Sequence, residues 1–249
     1  MSHCVSHEQC PKCRSLGNDR NGDNLGRYSD GSAYCFSCGY FESAKGLPRL
    51  QKKDETTTKA IGLPGDVDGI LPEKAWNFLS RYAITNTDAK RNTILWSESW
   101  QRVIFPIFDN TGLLAWQGRY LGDNPDKPKW YSVGDLKNIF HIIGGNKDKI
   151  VLTEDIISAI SVAKQPQFCA MPLFGSYITA RQLLTIKNIC GKLEVYIWLD
   201  KDKQKEAVKF ANLGTKLGIK THTVITNKDP KEYTQEEIQQ WLYKFSDFC

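Results

Sequence analysis

The sequence predicts an α/β protein in two parts: a small cysteine-bearing ribbon, and a larger domain with an α+β lobe and a parallel-sheet core. Three observations predict it. Two C-x-x-C pairs, Cys10-Pro-Lys-Cys13 and Cys35-Phe-Ser-Cys38, stand near the start. Strand-like runs joined by a hairpin turn follow them. From Lys149 onward apolar runs alternate with amphipathic stretches, the pattern of a mainly parallel sheet covered by helices.

The cysteine pairs come first in the chain. With 21 residues between Cys13 and Cys35, two such knuckles can close around one Zn²⁺ as four thiolates with Zn–S distances of ~2.3 Å. A disulfide reading needs an oxidising compartment, but no apolar signal segment precedes Cys4, so a reducing cytosol is expected. A thioredoxin-like redox site carries one such pair, not two. Cys4, His3 and His7 lie near enough to serve as ligands, although the first residues read more simply as a disordered terminus. Cys169, Cys190 and Cys249 read as thiols in no disulfide. Around the second knuckle, Arg27, Tyr34 and Phe36 supply a cation and rings suited to recognising a nucleic-acid template.

Composition sets limits. A chain of 249 residues can bury one substantial core beside a small module. Its 41% hydrophobic and 24% charged residues are ordinary for a globular protein, and no apolar run approaches the ~20 residues of a membrane helix. The formal charge is +5, and four thiolates with one Zn²⁺ would lower it by two. That excess hints only mildly at an anionic partner, so local placement must carry the argument.

Residues 1–44 form the ribbon, too small to fold without its metal. Residues 45–60 are polar and aperiodic and read as a flexible tether; a coil of that length spans roughly 20 Å. Residues 61–148 make the lobe. In it, Pro72 to Tyr82 looks helical, with Ala75, Phe78, Leu79 and Tyr82 on one face. Strands are expected at Thr93–Ser97, Arg102–Asp109, Gly112–Tyr120 and Lys129–Val133, with Asp109-Asn-Thr-Gly112 as a hairpin turn. Residues 149–249 give strands at Ile150–Thr153, Phe168–Leu173, Leu193–Leu199 and Lys220–Thr226. The helices that follow them are expected at Asp155–Lys164, Thr179–Ile189, Lys203–Leu217 and Thr234–Phe245.

Ligands of an open parallel sheet bind beyond the carboxyl ends of its strands. Glu154 stands at that end of the first strand, and Asp200 and Asp202 at that end of the third. In extended chain an Asp-x-Asp points both carboxylates to one side. Three converging carboxylates repel one another unless a cation sits among them, and oxygen ligands select Mg²⁺ or Mn²⁺. Each acid taken singly could instead cap the following helix.

The segment Val151-Leu-Thr-Glu154-Asp-Ile-Ile-Ser-Ala-Ile160, with Ile197-Trp-Leu-Asp200-Lys-Asp202-Lys-Gln-Lys-Glu-Ala-Val208, resembles the TOPRIM fold of primases and topoisomerases. Lys228-Asp229-Pro-Lys-Glu232 is similar to the Lys-Asp-x-x-Glu stretch that closes this domain in phage-type primases. Arg27-Tyr-Ser-Asp-Gly-Ser-Ala-Tyr-Cys35 resembles their ribbon. Over nearly its whole length the chain resembles the primase half of a bacteriophage primase-helicase. There are departures. Such primases often carry another acid one helical turn after the glutamate, where this chain has Ser158. The gap between knuckles is long, implying an extra loop around Gly17 to Asn24. No P-loop occurs, so no unwinding activity is expected of this chain.

In the lobe, Arg102, Arg119, Lys127 and Lys129 are interleaved with Trp116, Tyr120, Trp130 and Tyr131, which suits nucleotide or single-stranded template contact. The resemblance adds Asp229 to that set. It implies a DNA primase that makes short RNA from ribonucleoside triphosphates on single-stranded DNA, with Glu154, Asp200 and Asp202 holding catalytic Mg²⁺ or Mn²⁺. The implied partners are a replicative helicase and a DNA polymerase, in the cytoplasm of a cell or of a virus's host, with no membrane. A DNA-binding clamp of the recombination-mediator type and a TOPRIM nuclease remain as alternatives; a type I topoisomerase needs more chain.

Overall fold

The computed structural model describes residues 3–44 except 16, 20, 36 and 39, and residues 61–145, 148–190 and 194–244. Two units separate by their contacts, Met1–Ala60 and Ile61–Cys249. The tether at 45–60 lies outside the described residues.

Thiols make up most of what the first unit buries: its core is Leu25 and Ala33 with Cys10, Cys13 and Cys35. Around it runs an antiparallel sheet in the order β1-β2-β3-β4, formed by β1 (Cys4–Glu8), β2 (Leu25–Tyr28), β3 (Ala33–Cys35) and β4 (Phe41–Glu42), with helix α1 (Pro11–Ser15) after β1. The disordered terminus expected for the first residues is corrected here. Cys4 to Glu8 add to the edge of β2, with Cys4 opposite Tyr28 and Glu8 opposite Leu25, because an exposed strand edge offers unpaired N–H and C=O groups. The expected extra loop is pinned by Asp19, only 4% exposed, whose Oδ2 accepts the Cys10 N–H at 2.6 Å and Oδ1 the Asp23 N–H at 3.2 Å.

The larger unit begins with an antiparallel sheet, β5-β6-β7-β8-β9, of β5 (Val67–Asp68), β6 (Leu95–Ser97), β7 (Arg102–Asp109), β8 (Gly112–Tyr120) and β9 (Trp130–Val133). The β7–β8 turn forms as its sequence predicts: Asp109 Oδ1 accepts the N–H groups of Thr111 and Gly112, and Gly112 takes φ 131°. Two helices separate β5 from β6. Helix α2 (Glu73–Ser80) buries Ala75, Phe78 and Leu79. Helix α3 (Asn86–Arg91) was not expected; a Thr85/Asp88 capping box starts it, a local device that lets so short a helix form.

The second sheet is wholly parallel, in the order β11-β10-β12-β13, from β10 (Lys149–Thr153), β11 (Phe168–Pro172), β12 (Glu194–Ile197) and β13 (Thr221–Thr223). Helices α4 (Ile156–Val162), α5 (Ala180–Cys190), α6 (Gln204–Lys216) and α7 (Gln235–Lys244) follow the strands in turn. Both faces of β10, β11 and β12 are largely buried, which is why these three strands read as apolar runs. Ile150, Leu152, Cys169, Met171, Val195 and Ile197 pack on the side of α5 and α6. Val151, Phe168, Ala170, Tyr196 and Trp198 pack with α4, α7 and also with Ala75, Phe78 and Leu79 of the lobe. The core therefore runs continuously across position 148. Because β11 lies on one side of β10 and β12 on the other, the topology reverses between β10 and β12, and the carboxyl ends of those two strands open a crevice.

Candidate metal centre and acidic cavity

The ribbon brings its four thiols together. Among the described residues, one ligand atom each from Cys10, Cys13, Cys35 and Cys38 lies within 4.8 Å of all the others. The Cys10–Cys38 and Cys13–Cys35 sulfurs are each 3.6 Å apart, close to the ~3.8 Å edge of a tetrahedron with ~2.3 Å metal–sulfur bonds. The Cys13 and Cys38 N–H groups point at the sulfurs of Cys10 and Cys35, at 3.5 and 3.4 Å. Burial opposes ionisation at Cys35, yet the N–H groups of Cys38 and Ser37 outweigh it and bring that thiol down to about 7. Burial pushes Cys38 up to about 12, so holding four thiolates together here would need a doubly charged cation. The cluster fits structural Zn²⁺. Cys4 stands apart, 3.6 Å from His7 Nε2. We expect Cys35→Ser to release zinc and unfold the ribbon while leaving the larger unit's melting unchanged, as read by metal analysis and calorimetry; retained zinc would show the site is misassigned.

The ribbon's expected template readers divide. Arg27 is engaged within its own sheet by Glu8 and by Glu42, the latter at 3.2 Å. Tyr34 is 41% exposed. Phe36 lies outside the described residues.

In the larger unit, Glu154, Asp155, Asp200 and Lys231 line a cavity of about 350 Å³, closed on its other side by Phe78, Arg119 and Trp130. Each acid gets there by a separate local device. Glu154 follows β10, and its carbonyl accepts the Gly175 N–H at 3.1 Å, beside Phe174 at φ 52°. Asp155 caps α4, its Oδ1 accepting from Ile157 N and Ser158 N at 2.9 and 3.1 Å. Asp200 ends the β12 segment. Asp229 caps a short 3₁₀ turn, Pro230–Glu232, and its Oδ1 accepts the Lys201 N–H at 3.1 Å. Lys231 of that turn lies 2.9, 3.3 and 3.4 Å from Asp155, Asp200 and Asp229.

Two carboxylate oxygens have no hydrogen-bond partner among the described residues although both are buried: Glu154 Oε2 and Asp200 Oδ1. Burial raises the Glu154 carboxyl, and the charge of Asp202 raises it further. Burial pushes Asp200 up to about 7 against the pull of Lys231. Unpartnered buried carboxylate oxygens of this kind fit a hard divalent cation.

The extended backbone expected through Asp200 and Asp202 is corrected. The chain does not stay extended; it turns into a 3₁₀ helix at Lys201–Lys203, where alternation no longer applies. Asp202 is two-thirds exposed and pairs with Lys203 at 2.8 Å, which holds its carboxyl below the usual range. Asp155 both caps α4 and binds Lys231. Lys231 itself was not singled out in the sequence: its role depends on the ends of three strands meeting.

The basic residues of the lobe also separate. Arg119 enters the cavity, held between Phe78 and Trp130 with ring-centroid distances of 5.4 and 5.6 Å, and its Nε has no partner among the described residues. Gln117, two residues back on the same face of β8, lines the same cavity. Arg102 is 3% exposed and donates to the carbonyls of Gly118 and Pro128 at 3.0 and 2.9 Å. Its expected ligand contact is replaced by main-chain anchoring, since a buried guanidinium must satisfy its own donors. With Lys127, Arg102 lines a second cavity. Lys129 is exposed and lines neither of these cavities.

The Asp200 environment predicts a pH dependence. An unfolded aspartate titrates near ~3.9, so below about 7 the folded chain holds a proton that the unfolded chain does not. That contribution to stability is present in acid and lost as pH rises through about 7. Without added divalent metal, Asp200→Asn should melt above the wild type at ~pH 8, and the difference should shrink toward ~pH 5. A difference constant with pH would contradict the raised carboxyl.

The fold is shared with primase domains. The crystal structure of the zinc-binding and RNA polymerase domains of the Aquifex aeolicus primase aligns over 98% of this chain and 80% of that one, with TM-score 0.53 and 14% identity. The DnaG primase catalytic domain bound to single-stranded DNA aligns over 69% of this chain and 74% of its own, with TM-score 0.53 and 12% identity. The DnaG catalytic core gives 69% and 73%, with TM-score 0.52 and 13% identity. No family model and no curated protein matches the sequence. No helix among the described residues is long and apolar enough to cross a membrane.

Proposed function

We propose that this chain is a DNA primase of the phage type, the priming half of a primase-helicase system. A zinc ribbon reads the template, and a larger unit with a TOPRIM sheet joins ribonucleotides. Its domains are taken as 1–44, a linker at 45–60, the lobe at 61–148 and the sheet at 149–249. The observation that carries this reading is that Glu154, Asp200 and Arg119 line one cavity, each acid with a buried oxygen that has no partner among the described residues and the guanidinium set against Trp130.

The reaction is attack of a 3′-hydroxyl on the α-phosphorus of a nucleoside triphosphate; one P–O bond forms, another breaks and pyrophosphate leaves. Glu154 and Asp200, with Asp202 beside them, would hold Mg²⁺ or Mn²⁺. When bound, that ion neutralises charge developing on the phosphoryl oxygens. Arg119, fixed by two rings, presents N–H donors to the triphosphate at little entropic cost. Gln117 offers an amide to sugar or base on the same strand face. Trp130 and Phe78 close one side of the cavity and limit water. Lys127, Lys129 and Tyr131 are candidates for template phosphates and bases. A replicative helicase and a DNA polymerase are the expected users of the product.

The test is incubation with a random single-stranded DNA library, Mg²⁺ and labelled ribonucleotides. Template-dependent short RNA supports the reading. Shortened DNA would make the protein a nuclease, and binding with neither product a clamp.

A further inference from the structure

Lys231 binds three carboxylates, and the proposed reaction assigns it no role. Asp155, Asp200 and Asp229 come from three separate elements; Lys231 donates hydrogen bonds to the first two and pairs with the third at 3.4 Å. The side chain is 18% exposed. The oxygens of Asp155 and Asp229 around it are engaged. Asp155 Oδ1 takes the two N–H groups of α4, and its Oδ2 takes Lys231 and, at 2.8 Å, the Ser158 hydroxyl. Asp229 Oδ1 takes the Lys201 N–H, and its Oδ2 faces Lys231 at 3.4 Å.

Asp200 divides its two oxygens. Oδ2 goes to Lys231 at 3.3 Å, and buried Oδ1 has no partner among the described residues, as is also true of Glu154 Oε2. One carboxylate shared between a fixed cation and unpartnered oxygens is the layout of a two-cation site, with one of the two positions taken by a side chain.

Resting on the primase reading, we propose that Lys231 is a tethered cation that fills one of two cation positions, so that the larger unit binds a single divalent ion. That ion belongs to Glu154 and Asp200 Oδ1. The second position is occupied by the Lys231 ammonium, 2.9 to 3.4 Å from the three acids, and Ser158 supplies a hydroxyl to Asp155 rather than another charge. Lys231 is a positioning residue: it holds Asp200 so that Oδ1 faces Glu154, and it offsets the repulsion among the acids without being able to dissociate.

The experiment counts Mn²⁺ bound by the zinc-loaded full chain, reading free Mn²⁺ by electron paramagnetic resonance. Wild type should bind one ion. Lys231→Met leaves Asp155, Asp200 and Asp229 without their cation; it should bind two ions and regain with Mn²⁺ the melting temperature it loses without it. Lys231→Arg keeps a cation and should bind one. Two ions on the wild type or on Lys231→Arg would overturn the proposal, as would a single ion on folded Lys231→Met with wild-type affinity. No ion on the wild type would remove the catalytic metal site as well. The expected counts in a protein that makes no RNA would retire the primase reading and leave this inference standing.

Discussion

On the primase reading, Asp200→Asn is expected to cut RNA synthesis by about a hundred- to a thousand-fold, the range seen when one preorganised charge-stabilising group is removed from a buried site. The substitution keeps volume and removes the charge that Lys231 pairs with and that the proposed divalent ion would use. Glu154→Gln should behave alike, because its buried Oε2 is the other unpartnered oxygen of the cavity. Asp202→Asn should lose less, since that carboxylate is mostly exposed and already paired with Lys203. The check is primer yield against Mg²⁺ concentration, with circular dichroism to establish folding. Near-normal yield from folded Asp200→Asn would take the metal out of the mechanism and favour a DNA-binding clamp.

Removal of residues 1–44 should abolish template-directed initiation and leave extension of a supplied RNA primer measurable. The larger unit has its own continuous core, and all four residues at the floor of the acidic cavity belong to it. On the proposed reading, template selection comes from the ribbon surface around its second knuckle, where Tyr34 is exposed. The readout is primer yield on templates of varied sequence, with and without a supplied primer. Sequence-selective initiation at full rate by the truncated protein would show that the ribbon is not the reader.

Much of this architecture was legible because it rests on periodicity. Buried parallel strands such as Ile150–Leu152 and Val195–Ile197 must be apolar on both faces, and thiolate spacing is set by the geometry of one ion. What was missed depends on the tertiary fold. Strand β1 forms because β2 has an open edge, not because Cys4–Glu8 favours extension. Helix α3 is six residues long, too short for periodicity to reveal, although Thr85 and Asp88 marked its start. Glu154 and Asp200 were legible as strand-ending acids; the role of Lys231 was not, because three loops distant in sequence converge on it. The extended backbone assumed for the Asp-x-Asp is broken by a single turn, Lys201–Lys203, which leaves Asp202 mostly exposed while its charge still acts on Glu154. Arg102 and Arg119 look equivalent in the sequence, and only the register of β7, β8 and β9 buries the first against main-chain carbonyls and stacks the second in the cavity.

Labelled triphosphates test the chemistry most directly. With single-stranded DNA and Mg²⁺, label in the α-phosphate should enter every position of short RNA products, and label in the γ-phosphate should appear once, at the 5′ end, with pyrophosphate released in step. Both signals should vanish without template and in Glu154→Gln. Polymer without α-label, or loss of label from the DNA itself, would contradict the assignment of this cavity to nucleotidyl transfer.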